Sequence, residues 1–251
     1  MKFFVDKNQI SDNNIEIIGK DVNHIKNVLR KKENDKLTVV CKENNKNYIV
    51  QIEDINDENK IISKIIEEKE GNSESNISIH IFQGLPKSDK MELIIQKCTE
   101  LGVTDITPVI FKRSVVKLDE KDKEKQKIRW QKIAEVAAKQ CERDNILEVH
   151  DVININELSN KLSDFDKAFI AYEKEEDRFL KSELREINDT DNINIAVIIG
   201  PEGGIDENEI EQLVENGAIS ISLGKRILRT ETAPIVLSSI IMYELGDIGG
   251  K

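Results

Sequence analysis

The strongest constraint on the fold is a nearly all-apolar segment, Ile193–Ile199, that ends at a glycine-rich turn. A strand with one solvent-exposed face alternates apolar and polar residues, whereas a strand that is apolar throughout is buried on both faces. Strands of the second kind occupy the centre of parallel sheets that are covered by helices on both sides. This segment therefore predicts an α/β fold in which it is a central parallel strand.

The chain alternates between strand-like and helix-like patterns from residue 77 onward. Further strands are predicted at 77–81, 106–111, 168–172 and 219–223, and helices at 88–101, 121–143, 206–216 and from Pro234. Asp89 with Glu92, and Asp206 with Glu209, have the spacing of capping boxes, and proline suits a first helical turn. This alternation predicts a mostly parallel sheet with helices on its faces.

Residues 1–70 have a different pattern and predict a small β-rich domain. Short strands are expected at 37–40, 48–52 and 60–66, and a helix at 21–30 with Asp21 as its cap. The polar segment 71–76 contains a glycine and is the predicted linker to a second domain, 77–251.

Composition excludes several classes of protein. No run of 18 uncharged apolar residues is present, and a charge follows the N-terminus too soon for a signal peptide. The three cysteines are odd in number and widely spaced, which argues against a disulfide framework and favours a cytoplasmic protein. The histidines are scattered and no CxxC or HExxH pattern occurs, so no metal site is expected.

The net charge of −11 is unfavourable for binding nucleic acid unless basic residues are concentrated locally. Residues 112–143 contain 11 Lys/Arg against 6 Asp/Glu, whereas residues 144–219 contain 6 against 20. The basic segment is a candidate RNA-binding surface. The alternative for both segments is that they form solvated helix faces.

Three glycines follow the central strand within five residues, in Gly200-Pro201-Glu202-Gly203-Gly204. Glycine permits positive φ angles and close approach of a ligand to the backbone. This glycine loop matches neither the Walker pattern nor GxGxxG, and its glutamate would repel phosphate, so a neutral or cationic nucleoside is favoured. A tight turn without function is the alternative, although a turn rarely needs three glycines and a proline.

A second polar loop, Leu223–Ala233, follows the strand at 219–223. Arg229, Thr230, Glu231 and Thr232 supply hydrogen-bond donors, acceptors and both charge signs. Ligands of parallel α/β sheets bind at the carboxyl ends of strands, where both loops are predicted to lie. Capping of the next helix by one threonine is the alternative, but it leaves the arginine and the glutamate unexplained.

The two loops together closely resemble the signature of the RsmE family, the ribosomal small-subunit RNA (uracil-N3)-methyltransferases of the SPOUT superfamily. Other segments resemble the family in the same order along essentially the whole chain. They are Met1–Val5, His24 with Val28-Leu29-Arg30, Lys90, Gln96–Val103, Pro108, Arg113-Ser114, and Trp130–Arg143 with its core Ala137-Ala138-Lys139-Gln140.

The resemblance implies a SPOUT-type parallel sheet with a C-terminal trefoil knot, preceded by a PUA-like β-barrel that binds RNA. It implies that S-adenosylmethionine binds in the knot and that the enzyme is a homodimer. The final helix suits a dimer, because its apolar residues cover most of its circumference. The implied reaction is methylation of uracil N3 in 16S rRNA of the 30S subunit, with no metal and no membrane involved.

A mechanism for this reaction gives roles to individual residues. Arg229 would stabilise negative charge on the uracil carbonyls, and Glu231 would accept the N3 proton or orient Arg229. A salt bridge from Glu231 to Arg226 or Arg229 is the alternative.

The residues expected to bind the cofactor are Ile199, Gly200, Pro201, Glu202, Gly203, Gly204, Leu223, Gly224, Ile227, Leu228, Thr230 and Thr232. The residues expected to bind RNA phosphates are Arg30, Lys31, Arg113, Arg129 and Arg143, with Lys32, Lys112, Lys117, Lys132 and Lys139 as further candidates.

Three positions depart from the family pattern. Asp144 follows Arg143 where a proline is expected nearby, Lys112 stands where an acidic residue is frequent, and Lys2 stands where arginine is common. These departures concern RNA contacts rather than the reaction. Two other functions remain open, namely a non-catalytic RNA-binding assembly factor and a related SPOUT methyltransferase acting on tRNA or a ribose 2′-hydroxyl.

Overall fold

The computed structural model describes residues 1–41, 43–44, 46–187 and 192–250. Contacts group residues 1–74 with 138–145, here called the N-terminal unit, and residues 75–137 with 146 to the C-terminus, here called the C-terminal unit. The strands and helices are β1 (Lys2–Val5), β2 (Asn14–Ile18), α1 (Lys20–Asn23), β3 (Lys36–Cys41), β4 (Lys46–Asp54), β5 (Lys60–Glu70), β6 (Ser78–Gly84), α2 (Lys90–Glu100), β7 (Asp105–Ile110), α3 (Glu120–Cys141), β8 (Glu148–Val149), β9 (Ile153–Asn154), α4 (Ile155–Lys161), β10 (Lys167–Ala171), α5 (Leu180–Arg185), β11 (Asn194–Ile199), α6 (Glu207–Glu215), β12 (Ile219–Ile221) and α7 (Ala233–Glu244).

The N-terminal unit contains a five-stranded sheet in the order β1-β3-β4-β5-β2. β1 and β3 are parallel, and the other pairs are antiparallel. The register between β4 and β5 shifts twice, and such irregularities bend and twist a sheet. A single apolar cluster that includes Phe3, Ile15 and Ile52 fills the interior. The three strands predicted at 37–40, 48–52 and 60–66 are confirmed as β3, β4 and β5.

The helix predicted at 21–30 is shorter and less regular than its apolar spacing indicates. α1 covers only one turn, and a π-helical segment, His24–Val28, continues it. Gly19, with φ of 74°, precedes the helix, so the prediction that Asp21 caps it is wrong. The carboxylate of Asp21 instead accepts hydrogen bonds from Lys139 Nζ at 2.6 and 2.8 Å. This ion pair gives Lys139 a structural contact within the N-terminal unit.

Two departures from the family pattern, Lys2 and Asp144, form one ion pair. Lys2 Nζ lies 2.6 Å from Asp144 Oδ1, and the other carboxylate oxygen accepts hydrogen bonds from the backbone of Asn72 and Ser73 at 2.9 Å each. The Asp144 side chain is fully buried. Burial acts to raise the pKa of Asp144, but hydrogen bonds from Lys2 and Ser73 outweigh it and lower the pKa to about 2.

We expect Asp144→Ala to lower the free energy of unfolding by about 3 kcal/mol, because it leaves a nearly buried ammonium and two backbone N–H groups without their acceptor. The folded-state pKa is below the unfolded value near 4. The stabilisation is therefore present above about pH 4 and is lost as the pH falls toward 2. Urea unfolding at pH 7 and pH 3 measures both effects. Asp12→Ala, at an exposed position of the same unit, is the control. Equal unfolding free energies for the two variants at pH 7 would contradict the assignment.

The C-terminal unit contains a seven-stranded sheet in the order β12-β10-β11-β6-β7-β8, with β9 also paired to β7. Every pair is parallel, which confirms the α/β prediction. β11 lies between β10 and β6. Ile195 and Val197 pack in one apolar cluster, and Ala196 and Ile198 pack in another. The all-apolar strand is therefore central and covered on both faces, as its sequence predicts.

Helices supply the two apolar clusters on the faces of this sheet. Residues of α2, α5 and α7 belong to the first cluster, and residues of α4 and α6 belong to the second. At the start of α6, Glu209 Oε2 accepts from the Asp206 backbone at 3.2 Å, so that capping box is confirmed. The box predicted for α2 is wrong, because the Asp89 side chain caps nothing and Glu92 forms an ion pair with Arg129.

Neither a membrane-spanning helix nor a metal-binding group of side chains is found among the described residues. None of the helices in that part of the chain is long and apolar enough to cross a membrane. Within the same residues, no group of three or more His, Cys, Asp or Glu side chains is placed to hold a metal ion.

Candidate active site

The carboxyl ends of four neighbouring strands, β12, β10, β11 and β6, lie at one edge of the parallel sheet. A cavity of about 470 Å³ opens there. The glycine loop and the second polar loop form much of its wall, and the end of β10 adds to it. The lining residues are Lys90, 171–173, 199–205, 222–230 and Ala233. The volume is within the range of small-molecule sites in proteins.

Every predicted cofactor-binding residue except Thr232 lines this cavity. Thr232 is the N-cap residue of α7, yet its side chain forms no capping hydrogen bond. Its backbone N–H donates to the Arg229 carbonyl at 2.8 Å. Pro234 lies in the first turn of α7, as predicted.

Thr230 connects the two loops through its side chain. Its Oγ1 donates a hydrogen bond to the Gly200 carbonyl at 2.7 Å and accepts one from Gln83 Nε2 at 3.0 Å. Thr230 and Gln83 are buried, so these hydrogen bonds are shielded from water. The loops predicted separately from the sequence are therefore two walls of one cavity, and the capping alternative for Thr230 is not observed.

The glycine loop passes so close to other backbone that side chains are excluded. A Cβ at Gly84, the last residue of β6, would lie 2.5 Å from the backbone nitrogen of Pro201. A Cβ at Gly203 would lie 2.9 Å from the carbonyl oxygen of Arg113. Gly204 has φ of +71°, which favours glycine, and a Cβ there would lie 2.9 Å from Glu173 Oε1. The path of this loop therefore depends on Gly84 as well as on its own glycines.

Lys90, in the first turn of α2, contacts both loops. Its Nζ lies 2.9 Å from Glu202 Oε1 and 3.2 Å from Glu231 Oε2. The first contact is a hydrogen bond, whereas Glu231 Oε2 has only an ion pair with poor hydrogen-bond geometry. Glu202 Oε1 also accepts from the Lys87 backbone at 3.0 Å. The site thus has one ammonium between two carboxylates.

These contacts keep both carboxylates ionised. Burial acts to raise the pKa of Glu231, but its own backbone N–H and the nearby ammonium of Lys90 outweigh it, so the pKa lies below its usual range. The pKa of Glu202 is lowered in the same way, with burial opposed mainly by the Lys90 hydrogen bond. The hydrogen bond to Glu202 raises the pKa of Lys90.

The two predicted catalytic side chains have different surroundings. Arg229 is exposed and lines the cavity, and its guanidinium forms no hydrogen bond or ion pair with any other described residue. Glu231 is mostly buried, is not among the lining residues, and pairs with Lys90. Glu231 therefore forms its ion pair with Lys90 of α2, and not with Arg226 or Arg229 as the alternative predicted.

The predicted RNA-binding residues fall into exposed and buried groups. Arg30 and Lys32 are exposed, and Lys31 is partly exposed. Arg113 and Lys112 are exposed and each lie 3.1 Å from a carboxylate oxygen of Asp206, and Arg129 pairs with Glu92. Arg143 is 6% exposed, and its guanidinium lies 2.7 Å from Glu74 Oε2 in the N-terminal unit. This burial favours a structural role for Arg143.

Two histidines that appear scattered in the sequence meet near the amino ends of β6 and β7. His80 Nδ1 lies 2.7 Å from Asp105 Oδ2, and His150 Nε2 lies 3.6 Å from the same oxygen. The nearby carboxylate of Asp105 raises the pKa of His150, which burial opposes. This cluster is at the edge of the sheet opposite to the loop cavity.

Sequence reasoning missed several residues of the site. Lys90, Glu173 and Gly84 belong to no motif that chemistry alone identifies, because they come from the β6–α2 and β10–α5 connections and not from the two glycine-rich or polar loops. The end of the strand predicted at 168–172 was one available signal, since an acidic residue follows it directly. That strand is a neighbour of β11 only once the order of the sheet is known.

Comparison with known proteins supports a shared family. Residues 73–242 match the model of the RNA methyltransferase domain, and residues 17–66 match the RNA methyltransferase PUA domain. Ribosomal RNA small subunit methyltransferase E of Bacillus subtilis is 39% identical over 91% of this chain and 89% of that protein.

Two solved structures resemble the whole chain. One is ribosomal RNA small subunit methyltransferase E from Neisseria gonorrhoeae, bound to S-adenosylmethionine. Its TM-score to this chain is 0.85 at 30% identity, and the match covers 98% of both chains. A putative methyltransferase from Legionella pneumophila, in complex with the same cofactor, has a TM-score of 0.86 at 29% identity with equal coverage. The chain therefore belongs to the ribosomal RNA small subunit methyltransferase E family of RNA methyltransferases.

Proposed function

We propose that this protein transfers a methyl group from S-adenosylmethionine to N3 of a uridine in 16S rRNA of the 30S subunit. The observation that carries the proposal is the single cavity formed by the glycine loop and the second polar loop, joined by Thr230. Membership in the family indicates that the substrate is an rRNA. The choice of N3 depends on the close resemblance of both loops to the uracil-N3 enzymes.

The cavity fits a cationic nucleoside such as S-adenosylmethionine. Its glycines leave room where side chains would intrude, and Glu173 and Glu202 give it carboxylates that suit a positive sulfonium. We assign the backbone of 200–204 and of 223–228 to holding the adenosine and methionine parts. Bound there, the cofactor supplies a methyl group on a cationic sulfur: the N3–H bond of uracil breaks, a bond from N3 to the methyl carbon forms, and sulfur keeps the electron pair of its former bond to that carbon.

Arg229 and Glu231 act on the uracil. The exposed guanidinium of Arg229 is free to approach the carbonyl oxygens, where negative charge appears as N3 loses its proton. Glu231 is ionised at neutral pH, so its carboxylate is able to accept that proton. Orientation of the reacting atoms supplies much of the remaining rate.

Binding of RNA is proposed to depend on exposed basic residues. Arg30 and Lys31 of the PUA-like domain (1–70), and Arg113 and Arg129 of the methyltransferase domain (77–251), are the proposed phosphate contacts. The net charge of −11 requires that these contacts be local, and they predict steep weakening of binding as salt rises. The target base must be unstacked to reach the cavity. The trefoil knot, the homodimer and the cytoplasmic location implied by the resemblance remain part of the proposal.

The test is a methyl-transfer assay with isotope-labelled S-adenosylmethionine and small ribosomal subunits isolated unmodified at the target. We expect stoichiometric labelling of 16S rRNA and, after digestion, mass spectrometry of the label as 3-methyluridine. Label on a ribose 2′-hydroxyl or on tRNA would replace the proposed substrate. Binding of RNA without transfer would indicate a non-catalytic assembly factor.

A further inference from the structure

We propose that Lys90 is a positioning residue for methyl transfer, which sets the place of Glu231 by holding the second polar loop against the glycine loop. This inference rests on the proposed function and assigns a residue that the reaction chemistry does not itself require. It follows from the two ion pairs of Lys90, to Glu202 and to Glu231.

The position of Lys90 is fixed by its helix. Met91, Ile94, Ile95 and Cys98 of α2 are buried in the apolar cluster that also contains residues of α7. The backbone of Lys90 therefore cannot follow a movement of either loop without disturbing this packing. A rigid helix that contacts both loops through one ammonium restrains the distance between them.

Glu202 and Glu231, the two carboxylates that Lys90 contacts, have few other partners among the described residues. Within the part of the chain that the structure describes, the Glu202 carboxylate accepts one further hydrogen bond from outside its own loop, from the backbone of Lys87, which also belongs to the connection between β6 and α2. Glu231 Oε2 is buried and has no hydrogen bond of good geometry within the described residues, so the ion pair with Lys90 at 3.2 Å is its main contact. Loss of Lys90 would release Glu231 more than Glu202.

The charges at the site distinguish a positioning role of Lys90 from a role in cofactor binding. Lys90, Glu202 and Glu231 carry one positive and two negative charges, and removal of Lys90 leaves Glu202 without its ion pair and Glu231 with only the longer-range charge of Arg229. A more negative site attracts a sulfonium at least as well, so charge alone does not weaken cofactor binding. The released Glu231 would instead take up a proton at higher pH and lose its alignment, which affects the transfer step.

The variants Lys90→Met and Lys90→Arg test the inference, with Lys97→Met as the matched control. Lys97 lies on the same helix, and its one ion-pair partner among the described residues is Glu100. We expect Lys90→Met to lower the single-turnover rate by about 100-fold with a cofactor Kd, from calorimetry, within about 3-fold of wild type. Lys90→Arg should recover part of the rate because it restores the charge. Lys97→Met should match wild type in both measurements.

A pH profile supplies the readout that a merely structural role would not change. In Lys90→Met the acid limb of the rate should move to higher pH, because Lys90 lowers the pKa of Glu231 and Glu202. An unchanged acid limb, or parallel losses of cofactor affinity and melting temperature, would overturn the inference. Wild-type protein that forms no 3-methyluridine would refute the proposed function instead, so the two failures are distinguishable.

Discussion

Arg229→Ala is expected to lower the rate of methyl transfer by about 1,000-fold while S-adenosylmethionine binds with nearly wild-type affinity. The reason is the placement of this side chain. Its guanidinium is exposed at the cavity and forms no hydrogen bond or ion pair with any other described residue, so it is available to the substrate. A donor that acts only on charge developing during the reaction raises the rate without changing ground-state binding.

Single-turnover kinetics and calorimetry separate the two quantities. Arg185→Ala, at an exposed position of α5, is the control for loss of one positive charge. Equal losses of rate and cofactor affinity in Arg229→Ala would place Arg229 in the cofactor site. A rate equal to that of the control would remove it from the mechanism.

Gly84→Ala is expected to weaken S-adenosylmethionine binding by about 100-fold, equivalent to about 3 kcal/mol. The added Cβ would lie 2.5 Å from the Pro201 nitrogen and 2.8 Å from the Gly200 carbonyl carbon. Both contacts are with backbone at the start of the glycine loop, so the loop itself must shift. A shift there also strains the hydrogen bond from Thr230 to Gly200.

The control for Gly84→Ala must lose stability without touching the cavity. Gly217 has φ of +98°, and a Cβ there meets nothing within 4 Å, so Gly217→Ala adds only backbone strain. Calorimetric titration of both variants, with thermal unfolding of each, compares them directly. Similar cofactor affinities in the two variants would show that the glycine loop does not depend on Gly84.

The fold of the C-terminal unit was predictable because its signals are local. A strand that is apolar throughout can only be central, and β11 is. Capping signals were less dependable: the pair Asp206 and Glu209 forms its box, whereas Glu92 of a similar pair turns to Arg129 on α3. A competing partner from elsewhere in the fold decided that outcome, and the sequence near α2 contains no sign of it.

The site was only partly predictable for the same reason. Two loops with unusual chemistry follow strands, so their meeting at one edge of the sheet was a sound expectation. Gly84 has no unusual neighbours, and its importance comes from Pro201, which lies far away in the chain. Lys90 appeared only as one residue of the family resemblance. Its ion pairs join three separate connections, and such contacts exist only after the strands are ordered.

A crystal structure of this protein with S-adenosylmethionine tests the central claim most directly. The account predicts the cofactor in the cavity between residues 199–205 and 222–230, with the Thr230 to Gly200 hydrogen bond intact and Arg229 at its open side. Cofactor bound at another place, with these two loops unchanged and free of ligand, would contradict it.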